Sequence, residues 1–501
     1  MPTNGNFFTD LERRLREHAD RPCLRPQRAD VWTYGAMDMA SAKYAGALRA
    51  AGAAPGDRIV AQVRKSPQAV ALYLASLRAG LIYVPLNTAY TQDELAYFLN
   101  DAEPSVFVGD PGVQTDLKSV AQLTLDADGH GTLAEAAAAA TPFGAIEQRD
   151  GNDIASILYT SGTTGRSKGA MLSHDNLSSN AHALHGLWGF QRGDVLLHAL
   201  PIFHIHGLFV ALHTALLNGS EVLFHEQFDV TEICAALPDA TILMGVPTFY
   251  TRLLDHAAFR KDRCANIRLF ISGSAPLSTE TFAAFEARTG HKILERYGMS
   301  EAGMIASNPL KGERLAGTVG HALPGVDVRV TIDGDSAACD ETGGVEVRGP
   351  NVFQGYWRMP EKTDAEFTED GWFRTGDVGS LGKDGRLTLS GRTKDLIIVG
   401  GYNVYPKEIE ILLDSIDGVL ESAVIGAPHP DMGEGVVAVL TPENEALDDA
   451  LLVDAMNGLA KFKRPRRFFW VDALPRNAMG KVQKQLLREE FASTFSEDRE
   501  K

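Results

Sequence analysis

A chain of 501 residues is too long for one ordinary hydrophobic core, so two or more domains are expected. Its 44% hydrophobic and 23% charged content is that of a globular protein, and its net charge of −17 argues against nucleic acid as a partner, because phosphate backbones are held by excess Lys and Arg. Cys23, Cys234, Cys264 and Cys339 show no CxxC spacing, which argues against a zinc site and fits a reducing compartment with all four buried.

The N-terminal stretch MPTNGNFFTDLERRLREH lacks the apolar run of a signal peptide, and its Asp10, Glu12 and Glu17 are unlike a transit peptide. The least polar stretch, Gly207–Leu217, falls far short of the roughly 20 apolar residues that cross a bilayer. A soluble, cytoplasmic protein with no membrane partner is expected. Residues 1–150 alternate helix-like and strand-like pieces: a helix over Ala40–Ala51, a strand over Arg58–Val63, a helix over Gln68–Arg78 and a strand over Leu81–Leu86. Ala134–Ala140 reads as a surface helix or tether. The alternation implies a parallel α/β layer.

A strand over Ile154–Leu158 leads into YTSGTTGRSKG, Tyr159–Gly169, and a helix is expected from Asn176. Glycines and hydroxyl side chains crowd Thr160–Lys168, a composition whose backbone N–H groups converge on an anion. The Walker A loop requires its Lys to be followed by Ser or Thr, whereas Lys168 is followed by Gly169, so the loop is a phosphate cradle of another kind. From Asp194 to Leu323 the alternation repeats, with strands over Val195–Ala199, Glu221–Phe224, Thr241–Met244 and Arg268–Ser272, a buried helix over 207–217 and a helix over Pro247–His256. Residues 326–391 carry short β-rich runs between Gly/Asp turns, an antiparallel subdomain. Past Gly391 the charge density rises, and the last hundred or so residues read as a small α+β unit that includes a helix over Leu447–Lys461. The expected division is 1–393 and 394–501.

Four further clusters bear chemistry. SGSAP, Ser272–Pro276, lets the backbone lie against a flat ring, because Gly273 has no side chain to hold it off. In ERYGMSE, Glu295–Glu301, Tyr297 offers an aromatic face, Ser300 a hydroxyl and Glu301 a hard oxygen ligand for Mg²⁺; an N-capped loop tip explains the same residues. Asp377 in TGD is an acceptor-only carboxylate suited to two ribose hydroxyls, with Arg392 in GRTKD as a companion. Lys481 follows a glycine in PRNAMGKVQK, where a basic tail is the plain alternative.

Together these motifs resemble the adenylate-forming superfamily of acyl-CoA synthetases, luciferases and adenylation domains, in register and over essentially the whole chain. The resemblance implies a large N-terminal α/β domain of layered sheets with helices and a β-rich subdomain, followed by a small mobile α+β domain. It implies ATP, Mg²⁺ and coenzyme A as ligands and a two-step reaction in which an acid becomes an acyl-AMP and is then passed to the CoA thiol. Thr160, Ser161, Gly162, Thr163, Thr164, Gly165 and Lys168 would hold the phosphates. Gly273, Ser274, Ala275, Glu295, Arg296, Tyr297 and Gly298 would surround the nucleotide, and Asp377 and Arg392 its ribose. Ser300, which stands where the family usually has Thr, and Glu301 would meet the α-phosphate and the metal. Lys481 would stabilise charge in adenylation, Lys394 would be the hinge, and Gly400, Gly401 and Tyr402 would form the pantetheine path.

HALPIFHIHGLFVAL, MGVPTFYTRLL, RLFISGSAPL and GPNVFQGYWRMPEKT resemble the malonyl-CoA synthetases. His204, His206, Ser274, Met304 and Arg252 are the expected acid-binding set. Arg252 would pair with the second carboxylate of malonate; a surface Arg paired with Asp255 or Glu286 is its structural alternative. Methylmalonate, a medium-chain or aryl acid, a carrier-protein-loading activity and a nucleotide-binding protein without catalysis are the competing readings. A lysine acetyltransferase acting on Lys481 would be a regulatory partner; the sequence does not speak to the oligomeric state.

Overall fold

The computed structural model describes residues 4–113, 115, 120–160, 167–444, 446–477 and 480–496. The first layer is a nine-stranded sheet whose middle is parallel, in the spatial order Leu294–Met299, Leu269–Ser272, Ile242–Gly245, Val195–His198, Glu221–Phe224 and Pro22–Pro26. Most of its strands are short uninterrupted apolar runs buried on both faces, as parallel strands between helices must be. All of these strands end near the same edge, where ligands of open α/β sheets bind.

The second layer is a six-stranded sheet, parallel from Ala121–Thr124 through Val106–Gly109, Arg58–Gln62 and Ile82–Pro85 to Ile154–Thr160. Its last pairing was not foreseen: Lys168–Ser173 is a strand, antiparallel to Ile154–Thr160 with Thr160 opposite Lys168. The helix then begins at His174, behind a capping box in which the Ser173 hydroxyl accepts from Asn176 N–H and the Asn176 side chain accepts from Ser173 N–H. A five-stranded antiparallel sheet spans Asp327–Arg392, as the Gly/Asp turns implied.

One large core joins the three sheets and runs as far as Leu387, whereas a separate set of buried residues begins at Ile397 and belongs to the C-terminal sheet, in which Gly433–Pro442 pairs with Val419–His429, Ile397–Val399 and Arg467–Trp470. A large N-terminal α/β domain with a β-rich subdomain, followed by a small C-terminal α+β domain, is therefore the architecture.

Two expectations need correction and a third resolves. Leu447–Lys461 is not one helix: only Asp449–Ala455 is α-helical, followed by the short 3₁₀ turn Met456–Gly458, which contains a glycine. Of the two alternatives for Ala134–Ala140 the structure gives the surface helix, Thr132–Ala139, which buries Leu133 and Ala137 against Tyr34–Ala50. Cys339 is exposed on a turn of the antiparallel subdomain, while Cys23, Cys234 and Cys264 are buried and free. Among the described residues no helix is long and apolar enough to cross a membrane.

Candidate active site

The hairpin Leu294–Met299/Gly303–Ser307 builds the centre of the site. Its first strand continues the parallel sheet and its second turns back, so Ser300 and Glu301 fall at the bend, over the carboxyl edge of the strands. ERYGM is thus a strand rather than a loop tip. Glu301 is buried and accepts a hydrogen bond from Tyr356 Oη at 3.1 Å. Burial raises its pKa, against the pull of Tyr356, Arg392 and Lys168. A desolvated carboxylate with open lone pairs is a fitting oxygen donor for Mg²⁺.

Tyr356 is where it is because Trp357 N–H donates to Gly169 O and Met171 N–H to Gly355 O, stitching this segment onto the outer edge of Lys168–Ser173. Lys168 Nζ consequently stands 4.7 Å from the Tyr356 ring centre and 3.7 Å from Glu366. Burial, then Lys362, lowers its pKa. The predicted phosphate residues Ser161, Gly162, Thr163, Thr164 and Gly165 lie outside the described residues; Thr160 and Lys168 face each other where the two strands converge.

Asp377 and Arg392 are paired across adjacent strands, and Arg392 Nε lies 3.0 Å from Asp377 Oδ1. Tyr297 Oη donates to the other carboxylate oxygen. The carboxylate is thereby oriented, with Tyr297 buried beside it as a flat wall.

Lys481 reaches this group from the C-terminal domain. Its turn is closed by Asn477 N–H to Lys481 O at 3.0 Å and by Lys481 N–H to Asn477 Oδ1 at 3.0 Å. Gly480, at φ +73°, passes so close to Thr248 that an added Cβ would lie 3.2 Å from Thr248 Oγ1. Burial brings the Lys481 amine down to about 8, reinforced by Arg392 and Arg296 and opposed by Asp377 and Glu301. Both domains therefore converge on one charged centre.

The acid-binding set is distributed differently from expectation. Arg252 is exposed on the helix Pro247–Leu254, at the rim of an interdomain cavity of about 250 Å³ shared with Thr248, Phe249, Arg476 and Gly480. It is not a desolvated cation: Pro247 sets the helix phase so that Phe249, Tyr250 and Leu253 turn inward and Arg252 outward. The buried guanidinium is Arg296, assigned above to the nucleotide. It is 3% exposed, its Nε and Nη2 have no hydrogen-bond partner, and burial pushes its pKa down to about 9 against Tyr250 and Glu295. Gly273 lets the guanidinium lie against the backbone, because a Cβ would sit 2.3 Å from Arg296 Cζ and displace it.

Next to it, Ser274 adopts φ +74°, a strained value for a residue with a side chain, and its hydroxyl lies 3.2 Å from His206 Nδ1. His206 begins a π-helix, His206–Leu212, one residue ahead of the expected helix 207–217, and its buried Nε2 is unpaired. Burial, Lys481 and Arg296 push His204 to about 3; burial and Arg296 hold His206 well below its ordinary value, so both rings are neutral. Met304 is buried on the return strand, its backbone held by Asn180. Ala275 and Gly298 flank these groups; Gly400, Gly401 and Tyr402 are exposed, and Lys394, also exposed, lies near enough to Arg392 and Asp377 to feel both charges.

Glu295 points the other way along its strand, accepting from Leu277 N–H at 3.1 Å with its second oxygen unpaired. Burial lifts its carboxyl from 4.5 to about 7. A raised carboxyl stabilises the fold fully below pH 4.5 and loses that contribution as pH rises through about 7. Glu295→Gln is expected to flatten the pH dependence of thermal unfolding across that window; an unchanged profile would remove this assignment.

The comparisons agree with this geometry. Residues 11–357 match the model of the AMP-binding enzymes and residues 408–481 that of the AMP-binding enzyme C-terminal domain. The chain belongs to the AMP-binding enzyme family. It is 35% identical over 481 residues to a malonate–CoA ligase of Arabidopsis thaliana, covering 87% of this chain and 78% of the relative. It superposes on the crystal structure of ATP-bound MatB from Rhodopseudomonas palustris with a TM-score of 0.94 at 48% identity, covering 98% of this chain and 100% of that one. Against the apo form of the same protein, at the same coverage and identity, the score is 0.84.

Proposed function

We propose that this member of the family is an AMP-forming malonate–CoA ligase, which makes malonyl-AMP from malonate and ATP with release of pyrophosphate and then transfers the malonyl group to CoA with release of AMP. The observation that carries the substrate is Arg296. A buried guanidinium with two unpaired nitrogens, beside a hydroxyl and two neutral histidines, lacks a planar anion. An acid with a second carboxylate supplies one while presenting its first to ATP. The malonate–CoA ligase among the relatives fits this reading.

The roles proposed for the site residues are those the family resemblance implies. The loop between Thr160 and Lys168 holds the phosphates, Asp377 with Arg392 takes the ribose hydroxyls, and Tyr297 with Gly273–Ala275 bounds the base. Glu301 would hold Mg²⁺, which when bound neutralises phosphate charge, and Ser300 donates to the α-phosphate. Lys481 brings a cation to the carboxylate and α-phosphate oxygens between which charge builds up. Turning about Lys394, at the junction of residues 1–393 and 394–501, would withdraw Lys481 and present Gly400, Gly401 and Tyr402 to the CoA arm. The greater likeness to the ATP-bound relative suits a resting arrangement that favours adenylation. We assign the protein to the cytoplasm, where its free cysteines stay reduced.

AMP formation with ATP, Mg²⁺ and CoA, measured in parallel for malonate, methylmalonate, acetate, octanoate and a cinnamate, tests the reading. Malonate is expected to lead, with methylmalonate, one methyl larger, within roughly 10–200-fold. A monocarboxylic acid in the lead would leave the two-step chemistry standing and overturn the role of Arg296. AMP release that ignored CoA would point to a different acceptor.

A further inference from the structure

The segment His198–Gly207 joins the strand Val195–His198 to the π-helix and carries His204 and His206 on its way. One side chain ties its two ends together: His198 Nε2 lies 3.0 Å from Gly207 O. That contact requires Nε2 to carry the proton, which leaves Nδ1 as an acceptor. The acceptor is filled by Lys65 Nζ at 2.8 Å, and the same ammonium donates to His198 O at 3.1 Å. Lys65 comes from the other sheet, just past the strand Arg58–Gln62 and immediately before Ser66, the N-cap of Pro67–Arg78. Its charge is held by a ring nitrogen, a carbonyl and the face of Phe224, 4.5 Å away, rather than by a carboxylate.

These contacts lock one another. Burial and the neighbouring ammonium keep His198 well below its ordinary pKa, so the ring stays neutral, while burial lowers Lys65 and Glu226 partly restores it. Gly207 leaves no slack, since an added Cβ would lie 2.1 Å from Pro201 O. The carbonyl that His198 grips belongs to the residue directly after His206, whose ring meets Ser274 beside Arg296.

We propose that Lys65 and His198 are positioning residues for acid recognition: by fixing the His198 tautomer, Lys65 closes the segment His198–Gly207 and sets where His204 and His206 stand in the acid pocket. Among the described residues neither side chain has a polar partner in the nucleotide set, so the device acts on the acid and not on ATP. The pocket's content rests on the function proposed above; the device itself does not.

The test is a double-mutant cycle of Lys65→Met and His198→Asn, run with whichever acid the parent turns over fastest, so that failure of the malonate reading is seen separately. Each single variant is expected to raise the KM for the acid about tenfold, as loss of one charge-assisted or buried hydrogen bond does, with the KM for ATP within twofold. The double variant is expected to be no worse than the worse single one, because the two act as a unit. Additive effects, an unmoved acid KM, or a parallel rise for ATP would overturn the proposal. Should either variant fail to fold, nitrogen-15 imidazole spectra of the parent decide: His198 is expected as the neutral Nε2–H tautomer, and an Nδ1–H form or an imidazolium would refute it.

Discussion

Arg296→Met is expected to do two opposite things: to raise the melting temperature of the free protein and to cut kcat/KM for malonate by roughly a hundredfold. The first follows from desolvation. A buried charge whose hydrogen bonds are incomplete costs several kcal/mol, and an apolar side chain of similar length removes that cost without leaving a large cavity. Glu295, its charged neighbour, is not stranded by the change, because burial already lifts its carboxyl to about 7 and it can take up a proton. The second follows from what the guanidinium is free to do. With Nε and Nη2 unpaired, it offers a planar fork to a carboxylate, and losing a charge-assisted hydrogen bond of about 3 kcal/mol is worth about two orders of magnitude. Arg296→Lys keeps the charge without the fork and is expected to fall between the two. Thermal unfolding and initial rates on the same preparations check both halves. A variant that is less stable yet still turns malonate over would show that Arg296 is a structural ion in the pocket wall.

The difference between Arg296 and Arg252 shows where sequence reasoning stopped. Both lie in motifs expected to belong to the site, and Arg252 ranks first there because the family resemblance puts its helix in the acyl pocket, where a guanidinium suits a second carboxylate. What decides between them is the phase of a short helix begun by Pro247, which turns Phe249, Tyr250 and Leu253 inward, and the register of a strand, which turns Arg296 toward Gly273. Phase and register depend on partners distant in the chain. The strand Lys168–Ser173 was missed for a related reason: glycine and hydroxyl residues dominate its approach, and its strand character comes from pairing with Ile154–Thr160 on one side and with Tyr356 on the other. The alternating layers and the Gly/Asp turns of the antiparallel subdomain, by contrast, are local patterns and could be read directly. His198 opens the motif HALPIFHIHGLFVAL but Lys65 lies in none of the motifs, and only the folded chain brings the two to 2.8 Å.

Lys481→Ala is expected to slow acyl-AMP formation by about 10²–10³-fold, the range for removing one preorganised charge-stabilising group, while leaving conversion of supplied malonyl-AMP to malonyl-CoA within a few-fold of the parent. The asymmetry follows from where the side chain sits. In the docked arrangement it lies among Asp377, Arg392, Arg296 and Glu301, so it serves the step carried out in that arrangement. Lys481→Gln, which mimics acetylation, is expected to behave as Lys481→Ala does, because only the charge matters in this role. The pH dependence gives an independent reading. Burial lowers the amine to about 8, so kcat/KM for adenylation should fall as pH rises through about 8, the cation being lost, and Lys481→Arg should carry that limb to higher pH. Stability should move the other way: a depressed amine binds its proton less tightly in the docked fold than when exposed, so docking gains stability as pH rises from about 8 toward 10.5. Opposite slopes of activity and domain docking over the same interval are the signature of a lysine that is buried in order to act. Parallel slopes, or an alkaline limb that survives in Lys481→Arg, would assign the titration to another group.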